Sequence, residues 1–79
     1  MRYLYDPEAD CAYIRFRPGK VVREDILDDA RVVDYGADGE LVGVELLDVS
    51  HVPVQLDGLP RSDDIAKLLR RHHVRTVAA

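Results

Sequence analysis

Apolar and polar side chains alternate one by one along much of this chain, with turn-forming residues breaking the pattern at short intervals, and that pattern limits it to a sheet-based fold. Within residues 11 to 17, Ala12, Ile14 and Phe16 alternate with Cys11, Tyr13, Arg15 and Arg17. Successive side chains of a strand point to opposite faces, so a period of two buries one face only. Residues 2 to 6 read as a second strand. Asp6-Pro7-Glu8-Ala9-Asp10 lies between them, where Pro7 fixes φ and the flanking acids suit a turn, so the two strands form a hairpin.

Pro18-Gly19 breaks the chain again before a strand over Val21 to Leu27, in which Arg23, Glu24 and Asp25 interrupt the apolar residues. Asp28-Asp29 separates it from Arg31-Val32-Val33-Asp34-Tyr35, a short strand rich in β-branched and aromatic side chains. Gly36-Ala37-Asp38-Gly39 supplies the positive φ angles of a tight hairpin and leads into the strongest strand, Glu40 to Asp48. There Val42, Val44 and Leu46 are expected on one face, and Leu41, Gly43, Glu45 and Leu47 on the other. Short connections between successive strands predict an antiparallel meander of about five strands.

Residues 49 to 61 read as loop, with Val54-Gln55-Leu56 as a candidate short strand. Ser62 then provides an N-cap, Asp63 and Asp64 complement the positive helix end, and Ile65, Leu68 and Leu69 recur at helical spacing. Arg70, Arg71, His72 and His73 close the helix. The expected architecture is a single α+β domain over residues 1 to 79. Residues 1 to 48 form the sheet, 49 to 61 a loop, 62 to 73 a helix packed on one face, and 74 to 79 a tail.

With 79 residues, 47% of them hydrophobic, there is material for one core. Cys11 is the only cysteine, so no intrachain disulfide forms, and a lone thiol points to a reducing cytoplasm. No apolar run approaches the ~20 residues of a membrane helix, and no signal-peptide core is expected at the N-terminus. The net charge of −4 argues against general attraction to phosphate backbones, so nucleic acid is an unfavoured partner. Residues 1 to 60 carry six positive and thirteen negative side chains, whereas 61 to 79 carry five positive and two negative. Lys67, Arg70 and Arg71 are expected to face outward or toward acids such as Glu45 and Asp48.

Asp6, Glu8 and Asp10 alternate as the acids do in the first half of a calcium loop, where several oxygens converge on a hard cation. The second half is missing, since Cys11 and Arg17 stand where glycine and an acid belong, and a solvated turn is the expected reading. Glu24, Asp25, Asp28 and Asp29 read as a solvated acidic surface, because acid–base catalysis needs a shifted pKa and a hydrophilic run predicts exposure. Cys11 would need an adjacent histidine to act as a nucleophile, and His51, His72 and His73 lie far along the chain. Ser50 and Ser62 suit turn and cap positions. His72 and His73 are neighbours on a helix and point apart, which is poor geometry for a shared metal. No catalytic, cofactor-binding or metal-ligating residue is therefore expected.

Tyr5-Asp6-Pro7-Glu8-Ala9-Asp10-Cys11-Ala12-Tyr13-Ile14, followed by Asp34-Tyr35-Gly36-Ala37-Asp38-Gly39-Glu40-Leu41-Val42-Gly43-Val44-Glu45-Leu46-Leu47, resembles the small bacterial family catalogued as domain of unknown function 2283. The resemblance covers roughly residues 3 to 50. It implies a compact β-rich domain without an established activity or assigned catalytic residues. Some members look like partners encoded beside toxin-like proteins, which implies an antitoxin-like or other protein-binding role. A small core, an open sheet and no staple likewise favour a partner, so a homodimer or another protein complex is the leading expectation. The alternative is a small enzyme or a ligand- or metal-binding domain using acids near the hairpin turns.

Overall fold

A computed structural model describes residues 1 to 78. Five strands, β1 (Arg2–Asp6), β2 (Cys11–Arg15), β3 (Arg23–Asp28), β4 (Arg31–Tyr35) and β5 (Leu41–Leu47), form one antiparallel sheet, and the helix α1 spans Ser62–Arg71. The sheet and helix are those expected from the sequence. The spatial order of the strands, β1-β2-β5-β4-β3, differs from the chain order at one point. After β2 the chain does not turn back beside itself. Residues 16 to 22 instead cross the end of the sheet to its far edge, and β3, β4 and β5 return by hairpins until β5 pairs with β2. Pro18-Gly19 makes that excursion possible, with Gly19 at φ 141°. Phe16 N donates to Val42 O (2.8 Å), Val22 N to Tyr35 O (2.9 Å), and Arg17 pairs with Asp38 (3.1 Å), so the crossing is held to the central hairpin.

One face of the sheet carries the core. Ala12, Ile14, Val33, Val44 and Leu46 meet Ile65, Leu68 and Leu69 of α1, with Val49, Val54 and Leu59 from the following segment closing the gap. Burying such side chains stabilises the fold by about 1.5–3 kcal/mol each. A bulge between Asp34 and Tyr35 shifts the β4–β5 register, and it changes the expected face assignment. Leu41 packs against the core, while Val42, although buried, lines the cleft beneath the crossing segment with Lys20, Gly36 and Asp38.

The segments read as loop and tail contain a further pair of strands. β6 (Val54–Gln55) and β7 (Thr76–Val77) run parallel, with Val54 N donating to Arg75 O and Leu56 N to Val77 O, both at 2.9 Å. Two-residue strands carry no periodic signal, which is why sequence alone left them open. Arg31 anchors this region: its guanidinium donates to Gln55 O (3.0 Å) and Asp57 O while also pairing with Asp28 (2.9 Å). The helix ends also differ from expectation. Ser62 is the first helical residue, and the N-cap is Arg61, left-handed at φ 52° with no side-chain cap. Arg61 pairs with Asp64 (2.9 Å) and its guanidinium lies 4.8 Å over the Phe16 ring. At the other end the helix stops at Arg71, and His72 is its C-cap. No helix among the described residues is long and apolar enough to cross a membrane.

Candidate functional site

The second face of the sheet has no helix over it, and its register determines what it displays. Direct pairing sets Leu4, Tyr13, Glu45, Val32 and Ile26 in one row across β1-β2-β5-β4-β3, and Arg2, Arg15, Gly43, Asp34 and Glu24 in the next. Gly43 matters because a Cβ there would overlap the Tyr13 hydroxyl and Cζ. The hydroxyl end of Tyr13 therefore packs over the glycine, reaching from β2 across β5 toward Asp34 on β4.

Beside the Tyr13 hydroxyl sits Asp34, the one charged residue buried among those described, only 4% exposed. Its Oδ1 is buried without a hydrogen-bond partner. Glu24, directly opposite on β3, and Glu45, diagonal on β5, bring carboxylate oxygens to within 4.8 Å of one another and of Asp34. Burial pushes the Asp34 pKa up, hydrogen bonding from Tyr13 pulls it back, and the charges of Glu24 and Glu45 raise it further. The Tyr13 phenol is also raised, first by burial and then by the Asp34 charge. Two further acids thus converge on one desolvated carboxyl, on a face where solvated polar residues would be the default.

The sequence reading placed Glu24 in an exposed acidic run and did not single out Asp34 or Glu45 as functional. Of that run, Asp25 pairs with Arg23 (3.4 Å) and Asp28 with Arg31, while Glu24 alone joins the cluster.

A second polar cluster ties the first hairpin to the segment after β5. Asp10, left-handed at φ 53°, accepts from Tyr5 Oη (2.7 Å), Ser50 Oγ (2.9 Å) and Ser50 N (3.3 Å), and its Oδ2 lies 2.9 Å from His51 Nδ1. Hydrogen bonds from Tyr5 and His51 hold the Asp10 pKa down to about 2. Serine, histidine and aspartate are present, but the wiring is not that of a triad. Ser50 Oγ meets His51 at Nδ1 (3.1 Å), the same nitrogen that faces Asp10, whereas proton relay needs the serine and the acid on opposite ring nitrogens. The cluster acts as a clamp. Asp6 is used locally too, its Oδ1 accepting from Glu8 N (3.0 Å) and Ala9 N (3.4 Å) in an Asx turn.

Cys11 donates to Ala9 O (3.4 Å), and burial together with Glu45, Asp6 and Asp48 raises its pKa, so the thiol stays protonated. His72 stacks on Tyr3 with ring centroids 4.2 Å apart, and His73 sits beyond the helix at φ 60°. Arg70, Arg71 and Arg75 are all exposed. Glu45, expected as a partner of the helix cations, lies on the opposite face of the sheet from α1.

These features define a small α+β protein whose antiparallel sheet is covered on one side and carries a tyrosine-flanked acidic cluster on the other. The chain belongs to the family described as Protein of unknown function (DUF2283), whose model matches residues 2–50. The match takes in all five strands of the sheet and every residue of the acidic cluster, and it ends before α1. No curated protein matches the chain. No solved structure matches it either.

Proposed function

We propose that the protein is a non-enzymatic interaction module that pairs with a second copy of itself through the uncovered sheet face. The observation carrying this reading is the self-complementarity of the two rows about β5. A two-fold axis along that central strand sets Leu4 over Ile26 and Tyr13 over Val32 of the partner copy, so apolar meets apolar. It also sets Arg2 over the exposed Glu24, so positive meets negative. Isologous interfaces require this kind of match between one patch and itself. Exposure supports it: Ile26 is 75% exposed and Leu4 38%, and both flank the row. Face-to-face packing of sheets is a common way to bury such a surface.

Light scattering across micromolar concentrations tests the reading. The expected mass is twice 8.9 kDa. Arg2→Glu should weaken pairing and Arg2→Glu with Glu24→Arg should restore it, because each residue faces the other across the axis. Glu45 meets its own counterpart at the axis, so Glu45→Gln should strengthen pairing. A monomer mass throughout refutes self-association, and an antitoxin-like role with a different protein on this face then becomes the reading to pursue.

A further inference from the structure

We propose that Glu24, Asp34 and Glu45 bind a hard divalent cation of calcium size on the uncovered sheet face, with Asp34 as the buried ligand. Two observations meet here. The first is the convergence of three carboxylates, whose oxygens lie within 4.8 Å of one another. Calcium–oxygen bonds of about 2.3–2.6 Å place neighbouring ligands roughly 3–5 Å apart, so the three oxygens fit around one ion with little movement. The second is Asp34 itself, only 4% exposed, with an oxygen that has no partner and with its carboxyl turned toward the other two.

A buried carboxylate needs a counter-charge or a donor for each lone pair, because desolvation penalises the charged form heavily. None of the ion pairs among the described residues involves Glu24, Asp34 or Glu45. A cation supplies what the chain does not. The donor set contains only oxygens, which selects a hard ion over zinc or copper. Glu24 is exposed and Glu45 half-buried, so an ion has a path of entry and room to keep waters. The Tyr13 hydroxyl packs over Gly43 and hydrogen-bonds Asp34, so the low-dielectric surroundings of Asp34 strengthen the electrostatics there.

The sequence expectation of no metal weighed Asp6, Glu8 and Asp10 in a different turn, read Glu24 as part of a solvated acidic run, and found His72 and His73 poorly placed to share an ion. Residues 24, 34 and 45 come from three strands, and only the β3-β4-β5 pairing gathers them. The proposal does not depend on self-association. If the mass is monomeric and calcium still binds, the pairing falls and the cation site stands.

The test uses the full chain stripped with chelator. Calcium should raise the melting temperature saturably, since an ion that binds only the folded state stabilises it by mass action. Terbium, which replaces calcium and emits when a nearby tyrosine is excited, should luminesce and be displaced by calcium. Both responses should be lost in Glu24→Gln, Glu45→Gln and Asp34→Asn. Glu24→Gln lies on an exposed edge strand, so it keeps the fold even if the buried variant does not. Tyr13→Phe should keep the calcium-induced melting shift while reducing terbium emission. Absence of any saturable response up to about 10 mM calcium, above the weakest protein calcium sites, overturns the proposal. So does a response that survives Glu24→Gln and Glu45→Gln or that is abolished by Asp10→Asn instead.

Discussion

Replacing Gly43 by alanine probes the close approach on which the uncovered face is built. The backbone angle is not the obstacle, since Gly43 is not among the glycines with positive φ. Space is. The new Cβ would overlap the Tyr13 hydroxyl and Cζ and stand 2.8 Å from the Ile14 carbonyl oxygen, closer than the 3.0 Å that real Cβ atoms keep. The ring can swing away, but that uncovers Asp34. The carbonyl belongs to the paired strand β2 and yields only if β2 and β5 part locally. Overpacking of this kind costs about 1–3 kcal/mol, from which the lower chain entropy of alanine in the unfolded state recovers about 0.4–1 kcal/mol. Because the Cβ meets two atoms of the ring and the Ile14 carbonyl at once, the overpacking lies in the upper part of that range, about 2–3 kcal/mol, and the net loss should be about 1–2 kcal/mol. With a urea m-value near 1 kcal/mol/M for so small a protein, the denaturation midpoint should fall by about 1–2 M. In a Tyr13→Ala background the ring is gone and only the carbonyl contact remains, so the same Gly43→Ala change should cost clearly less. An unchanged midpoint, or an equal cost with and without Tyr13, refutes the close approach.

Asp34→Asn should be more stable than the parent protein at neutral pH in chelator. The folded pKa of Asp34 is raised above 3.8, so its proton favours the fold below that value and the advantage is lost as pH rises through the folded pKa. The gap between variant and parent, read from urea melts, should therefore open as pH increases from about 4 and close below it; a gap independent of pH refutes the assignment. Asp10→Asn should behave in the opposite sense. With a folded pKa of about 2, Asp10 stabilises above its unfolded value of 3.8 and that contribution disappears as pH falls through 2, so the variant's deficit at neutral pH should vanish in acid. Leu68→Ala should cost about 2–5 kcal/mol, because Leu68 is buried against the sheet, while Arg70→Ala with Arg71→Ala should cost far less. Comparable losses in the two helix variants would show that the arginines hold the helix.

Local patterns carried the parts of the fold that local physics determines. The strand at residues 11 to 15, the hairpin glycine Gly39 at φ 80° and the buried stripe Ile65, Leu68, Leu69 all follow from side-chain spacing and turn chemistry. What the sequence withheld depends on contacts between distant segments. The β2–β5 pairing that breaks the meander joins residues about thirty apart. β6 and β7 are two residues each and exist because residues 54 and 76 meet. Ser62 looked like a cap, yet Arg61 takes that position because its guanidinium is stabilised by Asp64 and the Phe16 ring, neither of which a capping rule contains.

The acidic cluster is the sharpest case, and it shows where a functional signal can hide in a β protein. Glu24, Asp34 and Glu45 stand ten and eleven residues apart, and nothing in their immediate neighbours marks them. Two hairpins nevertheless bring residues of such spacing onto adjacent strands, and pairing then decides whether they share a row and a face. A slip of one residue in β4 would turn Asp34 into the core and scatter the three acids. The bulge between Asp34 and Tyr35 lies immediately beside the cluster, and it returns Leu41 to the core while Gly43 and Glu45 stay on the open face. One irregularity therefore lets β5 serve both faces. The core keeps its apolar contacts, Gly43 leaves room for Tyr13, and Asp34 is buried among like charges, an arrangement that lowers stability unless something positive occupies it. A chain this small has little stability to lose, so the burial of Asp34 is a cost that the proposed cation would offset.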